Sequence, residues 1–286
     1  MVTTSAANAA CVVRKRLRRA HTKRHDRRLT GLRMMIALAS LFVLTGSLSD
    51  SLAVREALSS DRTRAFERVY AEGRWINGAD GARRCPSGWS DVGSGQALAA
   101  MRAVVSVVDM FQIRSIADVP CGDGCFAGAM IRAVRNRTGA TASTPISYLG
   151  VDIVGSLIER NRALLGDEHT HFHMADVVSG AAPLPTADLL LSRQMLQHLC
   201  TEDALRFVQM VARSSARFVL LSTFKTDDDF VNTDIPCTSG GYRPQDLTKP
   251  PFNLPTPLAF FDEMYPVDRR IALGLWKVGT LRHRLL

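Results

Sequence analysis

The sequence has no pair of cysteines at the spacing of a common zinc site. Its six cysteines stand at positions 11, 85, 121, 125, 200 and 237. Because none of them forms a CxxC pair, the sequence does not support a zinc centre, and no bound metal is expected. Most of the cysteines are predicted to be small core residues. If the domain is lumenal, Cys85 and Cys237 lie in loop-like sequence where a disulfide forms most easily, but the sequence does not fix the pairing.

The folded part of the chain lacks an excess of either charge. The formal net charge of +9 comes from 36 Lys and Arg against 27 Asp and Glu. Residues 1–33 alone hold ten of these basic residues and one Asp, so 26 residues of each sign remain in 34–286. The basic character therefore belongs to an N-terminal tail. Charge gives no support for a nucleic-acid partner, and none is expected.

The uncharged segment that follows the basic tail is short for a membrane span. Residues 34–48 give fifteen uncharged, mostly apolar positions, whereas a transmembrane helix needs about 20 and at least about 17. A signal anchor fits the basic tail, which the positive-inside rule would hold in the cytosol. A cleaved signal peptide fits the apolar length and the small residues Ser51 and Ala53, which precede Val54. An organelle transit peptide is the alternative, since the tail is rich in Arg and poor in acids.

These features divide the chain into three parts. We expect residues 1–33 to be a basic cytosolic or targeting tail, 34–48 a signal anchor or signal peptide, and 54–286 one folded domain. Internal repeats and low-complexity segments are lacking after residue 50, which favours a single unit. The protein is therefore expected at a membrane through its N-terminal segment or in the secretory pathway, with an organelle as the alternative location.

Short apolar segments and amphipathic segments alternate through the folded part. The pattern predicts strands at 113–119, 146–153, 170–175, 187–192, 217–224, 258–264 and 270–278. It predicts helices at 60–70, 96–111, 126–134, 156–165 and 203–214, and a shorter one around 194–199. Such alternation is typical of an α/β fold, here a Rossmann-like, doubly wound, seven-stranded sheet that is mostly parallel with an antiparallel last strand. Ligands of such sheets bind at the carboxyl ends of the strands.

The central motif is a strand, a glycine-rich turn and a helix. Residues 113–119 are apolar and β-branched, residues 120–124 form a turn that small residues favour, and residues 126–134 return to helical periodicity. The spacing of Gly122, Gly124 and Ala127 alone is a weak match to a dinucleotide-binding fingerprint. Acidic residues sharpen the pattern, because three of them end successive strands and a fourth lies in the turn. These carboxylates, which converge on one crevice, are Asp118, Asp152, Asp176 and Asp123.

This arrangement resembles the class I S-adenosylmethionine-dependent methyltransferases over roughly residues 85–280. The segment Asp118-Val-Pro-Cys-Gly-Asp-Gly124 is similar to their glycine motif, with Pro120 where the first glycine is usual. The resemblance implies S-adenosylmethionine as the cofactor, with Asp152 on the ribose hydroxyls and Asp176 near the adenine amino group. The other implied cofactor-binding residues lie in the turn, beside the adenine ring or along the methionine part; they are Gly122, Asp123, Ile153, Val177, Ser192 and Arg193.

A narrower resemblance joins the chain to an uncharacterised branch with a Pro-Cys-Gly-Asp cofactor motif. It extends to a glycine- and serine-rich loop at 87–95, to His198 and Leu199 after the fourth strand, and to the segment 232–255. In that branch an Arg-Asp pair follows the fourth strand, and here Gln194 replaces the aspartate. If the aspartate is the base in relatives, this chain lacks it. His198 is then the candidate base, with a structural histidine in an apolar run as the alternative.

The segment 232–255 is predicted to form the acceptor side of the site. It leaves the fifth strand at its carboxyl end and offers Asn232, Tyr242 and Arg243 as polar groups. His198 and Arg243 are accordingly the candidate catalytic residues. A planar guanidinium at Arg243 can hold a carboxylate, a phosphate or a sugar hydroxyl.

The expected activity is methyl transfer to an oxygen of a small molecule or sugar. The sequence contains no Asn-Pro-Pro-Tyr or Asp-Pro-Pro-Tyr motif of enzymes that methylate amide or adenine nitrogens, and no metal-binding trio typical of catechol methylation. Two alternatives stay open. An NAD(P)-dependent oxidoreductase is suggested by the glycine spacing, and a non-catalytic, membrane-tethered binding protein with a degenerate methyltransferase fold by Gln194, which cannot take a proton.

Overall fold

The structure is a computed structural model, and the residues that it describes fall between 59 and 286. The described residues are 59–75, 85–88, 90, 93, 95–138, 145–181, 183–263 and 270–286. They belong to one compact unit, Ala57–Leu286. The predicted tail (1–33) and the predicted anchor or signal peptide (34–48) lie outside them, and the start of the domain at residue 54 stays a prediction. None of the described helices combines the length and the apolar character that a membrane span requires.

Seven strands form a single sheet. They are β1 (Ser115–Asp118), β2 (Ser147–Asp152), β3 (Thr170–Met174), β4 (Leu189–Ser192), β5 (Phe218–Phe224), β6 (Ala259–Asp262) and β7 (Ile271–Lys277). Their order across the sheet is β3-β2-β1-β4-β5-β7-β6. The first five pair in parallel, whereas β7 runs antiparallel to its neighbours β5 and β6. The predicted sheet is confirmed, and each predicted strand contains the observed one.

Helices flank the sheet. They are α1 (described over 59–71), α2 (Gly95–Phe111), α3 (Cys125–Thr138), α4 (Gly155–Leu165), α5 (Thr201–Arg213) and α6 (Val278–Leu285), with a 3-10 turn at Leu196–His198. The sequence did not predict α6, because it follows β7 without a turn residue. Only Val278 and Leu281 of α6 are buried, so its periodic signal is short.

Side chains of the central strands alternate between two apolar layers. In β1, Ile116 packs in one layer and Ala117 in the other; in β5, Leu220 and Leu221 divide in the same way. Helices α2 and α3 cover the first layer, and α5 and α6 cover the second. Every residue of β5 is buried, as expected for a strand with helices on both faces. The doubly wound arrangement is therefore confirmed.

A buried cluster of charges fixes α1 across the carboxyl ends of the strands. Arg62 of α1 is 4% exposed. Its Nε and Nη2 donate to one oxygen of Asp203 in α5 at 3.1 and 2.6 Å, and its Nη1 donates to Asp176, which follows β3. One guanidinium thus joins two carboxylates from separate elements. Asp203 also pairs with Arg206 at 2.7 Å, but removal of Arg62 would leave Asp176 without its ion pair.

We predict that Arg62→Met lowers the free energy of unfolding by about 3 kcal/mol. Arg64→Met on the same helix is the matched control, since the Arg64 side chain is 60% exposed and pairs only locally with Asp61; it should cost less than about 0.5 kcal/mol. Urea unfolding of both variants measures the difference. Equal effects of the two substitutions would contradict the role given to Arg62.

Candidate functional site

A cavity of about 660 Å³ lies where β1, β2 and β4 end, with α1 along one side. Its volume is in the range of sites for small ligands and cofactors. Most of the predicted cofactor-binding residues line it, but Asp123 and Ser192 do not. The predicted residues that the structure brings together around the cavity are Asp118, Pro120, Gly122, Asp152, Ile153, Asp176, Val177 and Arg193.

The glycine turn depends on two left-handed residues. Gly122 has φ 57° and Gly124 has φ 78°, conformations that favour glycine. A Cβ atom on Gly124 would also lie 2.4 Å from Oδ1 of Asn161 in α4, so a side chain there has no space. The turn therefore packs against α4, and its residues 120–122 line the cavity.

Asp152 and Asp118 are buried carboxylates at adjacent strand ends. Asp152 accepts hydrogen bonds from the backbone N–H of Gly122 and of Val154, both at 2.9 Å. Asp118, which is 2% exposed, accepts a hydrogen bond from the Tyr148 hydroxyl at 2.8 Å. Neither forms an ion pair with a residue that the structure describes. Burial raises the pKa of Asp118 to about 7 and that of Asp152 to about 6.

Asp123 holds a loop instead of lining the cavity. One carboxylate oxygen accepts hydrogen bonds from the backbone N–H and the hydroxyl of Ser87, both at 2.7 Å. The other accepts from the backbone N–H of Cys125 at 3.0 Å and so caps the start of α3. These contacts give Asp123 a structural role, and its contact with a cofactor stays a prediction.

Asp176 and Ser192 differ in their access to the cavity. Asp176 lines it, although its oxygens already accept from Arg62 and from the backbone N–H of Val178, the latter at 3.1 Å. Ser192 is the buried last residue of β4, and its hydroxyl makes no hydrogen bond among the described residues. Ser192 is not among the residues that line the cavity, and its place along the cofactor stays a prediction.

Arg193 and Gln194, which follow β4, both donate to the buried carboxylate of Glu263. Glu263 is 1% exposed; it accepts from Arg193 Nε at 2.7 Å and from Gln194 Nε2 at 3.1 Å. The left-handed backbone of Gln194 (φ 56°) directs its N–H to the Ser222 hydroxyl at 2.9 Å. An aspartate in place of Gln194 would set two carboxylates against each other. The amide at this position therefore complements Glu263.

His198 lines the cavity as a neutral imidazole. Its Nδ1 lies 2.6 Å from the carbonyl oxygen of Gly241. Because a carbonyl only accepts, Nδ1 carries the proton and Nε2 keeps a lone pair. Burial lowers the pKa of His198 to about 4, so the ring is uncharged at neutral pH. Its neighbours are the rings of Trp75 and Tyr242, with centroid distances of 4.7 and 5.4 Å.

The loop between β5 and β6 docks on the segment that carries His198. Only Tyr242 of its three predicted polar groups lines the cavity. Arg243 is 3% exposed; its guanidinium donates to the Leu199 carbonyl, and its backbone N–H donates to the Gln197 carbonyl at 3.0 Å. This geometry gives Arg243 a structural role and places it outside the residues that line the cavity, so its contact with an acceptor stays a prediction.

Asn232 also stabilises this loop internally. Its Nδ2 donates to the carbonyls of Asp246 and Pro250 at 2.9 and 2.7 Å, and its Oδ1 accepts from the Asp246 N–H at 2.9 Å. All polar atoms of the side chain are thus used within the loop. Asn232 therefore stabilises the loop, and its predicted contact with an acceptor stays a prediction.

Two disulfides hold the edges of the cavity. Cys85 is joined to Cys125 at the start of α3, and Cys200 is joined to Cys237 in the β5–β6 loop. Cys121 is free and buried. Cys85 and Cys237 are therefore both disulfide-bonded, but to partners that the sequence placed among small core residues.

The side of the cavity formed by α1 and the residues after it was missed by sequence reasoning. Arg62, Phe66, Tyr70 and Trp75 line it. A Cβ atom on Gly122 would lie 3.3 Å from the Tyr70 hydroxyl, so this ring closes over the glycine turn. Burial raises the pKa of Tyr70, which keeps the hydroxyl protonated. No local signal distinguishes a helix that covers a ligand site from one that covers a core.

Comparisons with known proteins find likeness in structure alone. No family model and no curated protein matches the chain. The magnesium protoporphyrin IX methyltransferase ChlM from Synechocystis PCC 6803 with bound SAM is 14% identical, with a TM-score of 0.46, over 80% of this chain and 97% of that one. Human N-acetylserotonin methyltransferase in complex with SAM is 14% identical, with a TM-score of 0.44, over 64% of this chain and 54% of that one.

A third solved structure covers a smaller part. The methyltransferase domain of bacterial CtHen1-C is 16% identical, with a TM-score of 0.37, over 45% of this chain and 66% of that one. The chain thus spans about half of the human enzyme and about two thirds of the CtHen1-C domain. Similarity at this level identifies no activity.

We predict that Asp118→Asn becomes more stable than the wild type as the pH rises from about 4 to about 7. The raised pKa of Asp118 means that the folded protein keeps a proton which the unfolded chain releases, so wild-type stability falls over this window and levels off above it. The gain should reach about 2–4 kcal/mol at pH 8. Urea unfolding at pH 4.5, 6 and 8 measures it, with Asp109→Asn at the surface as the baseline. A pH-independent difference would contradict the burial argument.

We predict that peptide mapping without reduction recovers two cross-links, Cys85–Cys125 and Cys200–Cys237. Replacing both Cys200 and Cys237 by Ala should lower the free energy of unfolding by about 2–4 kcal/mol, because the unfolded chain loses a loop constraint. Cys121→Ala is the control and should leave the map unchanged. Recovery of Cys121 in a cross-link would overturn the assignment.

Proposed function

We propose that this protein is an S-adenosylmethionine-dependent methyltransferase acting on an oxygen of a small molecule. The observation that carries the proposal is the pair of buried carboxylates at the ends of β1 and β2. Asp118 and Asp152 face the cavity without an ion pair among the described residues, and burial raises the pKa of both. A ligand that brings hydroxyl donors and a positive charge would stabilise their charged forms. S-adenosylmethionine offers ribose hydroxyls, an ammonium group and a sulfonium.

The same carboxylates argue against a nicotinamide dinucleotide. The pyrophosphate of such a cofactor is anionic and needs free amides at a helix N-terminus. Here Asp123 already accepts from the backbone N–H of Cys125 at the start of α3. A pyrophosphate at this corner would meet carboxylates where it needs donors. The oxidoreductase alternative is therefore disfavoured by the charge of the corner.

The residues around the cavity divide into roles for the cofactor. Asp152 would accept hydrogen bonds from the ribose hydroxyls, and Ile153 and Val177 would flank the adenine ring. Asp118 would attract the ammonium group, and Arg193, which Glu263 orients, would border the methionine part. When bound, the cofactor supplies an electrophilic methyl group on a sulfonium. The chain's own residues bind it, orient it and exclude water.

His198 is the group best suited to take the proton of an acceptor hydroxyl. It lines the cavity, is neutral because its pKa is lowered to about 4, and has a lone pair on Nε2 because Nδ1 is bound to the Gly241 carbonyl. A weak base is sufficient, since the hydroxyl becomes far more acidic as its oxygen gains the methyl group. Alignment of oxygen, methyl and sulfur supplies the larger part of the acceleration.

We also propose that the domain works in the secretory pathway, held at a membrane by residues 34–48 if they are not cleaved. The two disulfides support this location, because such bonds persist mainly in oxidising compartments. The organelle alternative predicts reduced thiols at the same positions. If residues 34–48 anchor the domain in the membrane, the basic tail at 1–33 would stay on the cytosolic side.

We predict that Val177→Trp weakens binding of S-adenosylhomocysteine by more than tenfold. A Trp side chain at this cavity position would fill the space assigned to adenine. Val231→Trp is the matched control, because Val231 is 74% exposed in the β5–β6 loop. The affinity of this variant for S-adenosylhomocysteine should stay within twofold of the wild-type value. Isothermal titration calorimetry measures both. Binding of NADH with no response to S-adenosylhomocysteine would show that the cofactor assignment is wrong.

A further inference from the structure

Five rings line one side of the cavity and form a continuous surface. This aromatic wall consists of Phe66, Tyr70, Trp75, His198 and Tyr242. Trp75 lies at its centre, with ring centroids 4.7 Å from His198, 5.2 Å from Tyr70 and 6.3 Å from Phe66. Tyr242 continues the wall on the far side of His198, at 5.4 Å. These spacings are those of favourable aromatic pairs.

The wall is assembled from separate segments that are fixed in place. The backbone oxygen of Trp75 lies 2.4 Å from the position of a Cβ atom on Gly88, so the 85–88 loop supports Trp75 from behind. The Cys85–Cys125 disulfide ties that loop to α3. His198 is held through Nδ1, and the Cys200–Cys237 disulfide ties its segment to the loop that carries Tyr242. A surface held in this way loses little conformational freedom when a ligand binds.

The cavity surface next to His198 and Tyr242 is largely apolar, although polar side chains such as Arg74, Ser87 and Gln96 line the cavity as well. The lining residues close to His198 and Tyr242 in sequence include Met195, Leu199 and Pro244, which have apolar side chains. The amide of Gln194 is already bound to Glu263. A sugar bound directly against the aromatic wall would set some of its hydroxyls against apolar side chains, which costs free energy. A flat apolar ring instead gains contact area and ring stacking.

We propose that the methyl acceptor is a planar aromatic compound with a ring hydroxyl, which binds against the aromatic wall with its hydroxyl at His198. This inference rests on the proposed methyl transfer and narrows its acceptor. The hydroxyl oxygen attacks the methyl carbon of the sulfonium, the carbon–sulfur bond breaks, and sulfur keeps the electron pair. The hydroxyl proton passes to Nε2 of His198 and then to solvent.

The acidity of the acceptor agrees with this choice. A phenolic hydroxyl has a pKa of about 10, so it gives up its proton more readily than an alkyl alcohol does. His198 holds a proton weakly because burial lowers its pKa. A weak base is better matched to the more acidic hydroxyl.

Matched probes test the inference on the full chain. The probes are 2-naphthol, its saturated counterpart decahydro-2-naphthol and methyl α-glucoside, each incubated with radiolabelled S-adenosylmethionine. We expect kcat/KM for 2-naphthol to exceed the values for the other two by at least tenfold. Trp75→Leu should raise KM for 2-naphthol by at least tenfold and leave the affinity for S-adenosylhomocysteine within twofold. Phe260→Leu replaces an aromatic residue on β6 outside the cavity lining and should change neither.

Several results would overturn the inference. Methylation of the glucoside or of decahydro-2-naphthol as efficiently as 2-naphthol would do so, as would an unchanged KM in Trp75→Leu. If no probe is methylated, calorimetric titration of the protein loaded with S-adenosylhomocysteine decides, and 2-naphthol binding no tighter than decahydro-2-naphthol contradicts the inference. Failure to bind S-adenosylhomocysteine contradicts the proposed function itself and removes the basis of the inference with it.

Discussion

The structure depends on two carboxylates that are buried before any ligand arrives. Asp118 and Asp152 are 2% and 5% exposed, and desolvation is the main reason that the pKa of each is raised. The Tyr148 hydroxyl and the amides of Gly122 and Val154 satisfy part of their hydrogen-bonding capacity. Burying charge in this way costs stability in the free protein. A cationic, hydroxyl-bearing ligand would offset that cost, and this gain would favour its binding.

The register of the parallel strands and a glycine in β2 determine where Asp118 and Asp152 lie. In the parallel pairing of β1 with β2, Asp118 is opposite Gly150, so Asp152 lies further along β2 at the same edge of the sheet. A Cβ atom on Gly150 would lie 2.6 Å from the Phe172 ring, and glycine there lets the strand pack closely. Arg62 then holds α1 over the open edge through Asp176 and Asp203. The cavity is thus closed by tertiary contacts that bridge distant parts of the chain.

Sequence periodicity was sufficient to predict the strands of the sheet and the acidic residues at their ends. The strands and the convergence of Asp118 and Asp152 follow from local patterns, since a buried parallel strand shows a continuous apolar run and its terminal acid is then placed by the sheet. Partners far apart in sequence could not be predicted in this way. The contacts of Arg243 with the Leu199 carbonyl and of Asp123 with Ser87 join segments whose pairing no local pattern indicates. In sequence Trp75 is interpreted as a packing residue, because its place in the cavity depends on the rings that tertiary structure brings beside it.

The central claim is that the cavity binds S-adenosylmethionine through carboxylates that lose protons on binding. Calorimetric titration with S-adenosylhomocysteine at pH 6.5, repeated in buffers of different ionisation enthalpy, measures the proton exchange directly. With pKa values of about 7 for Asp118 and about 6 for Asp152 in the free protein, the account predicts release of about one proton per ligand bound. Absence of binding, or binding with no proton release, would contradict it.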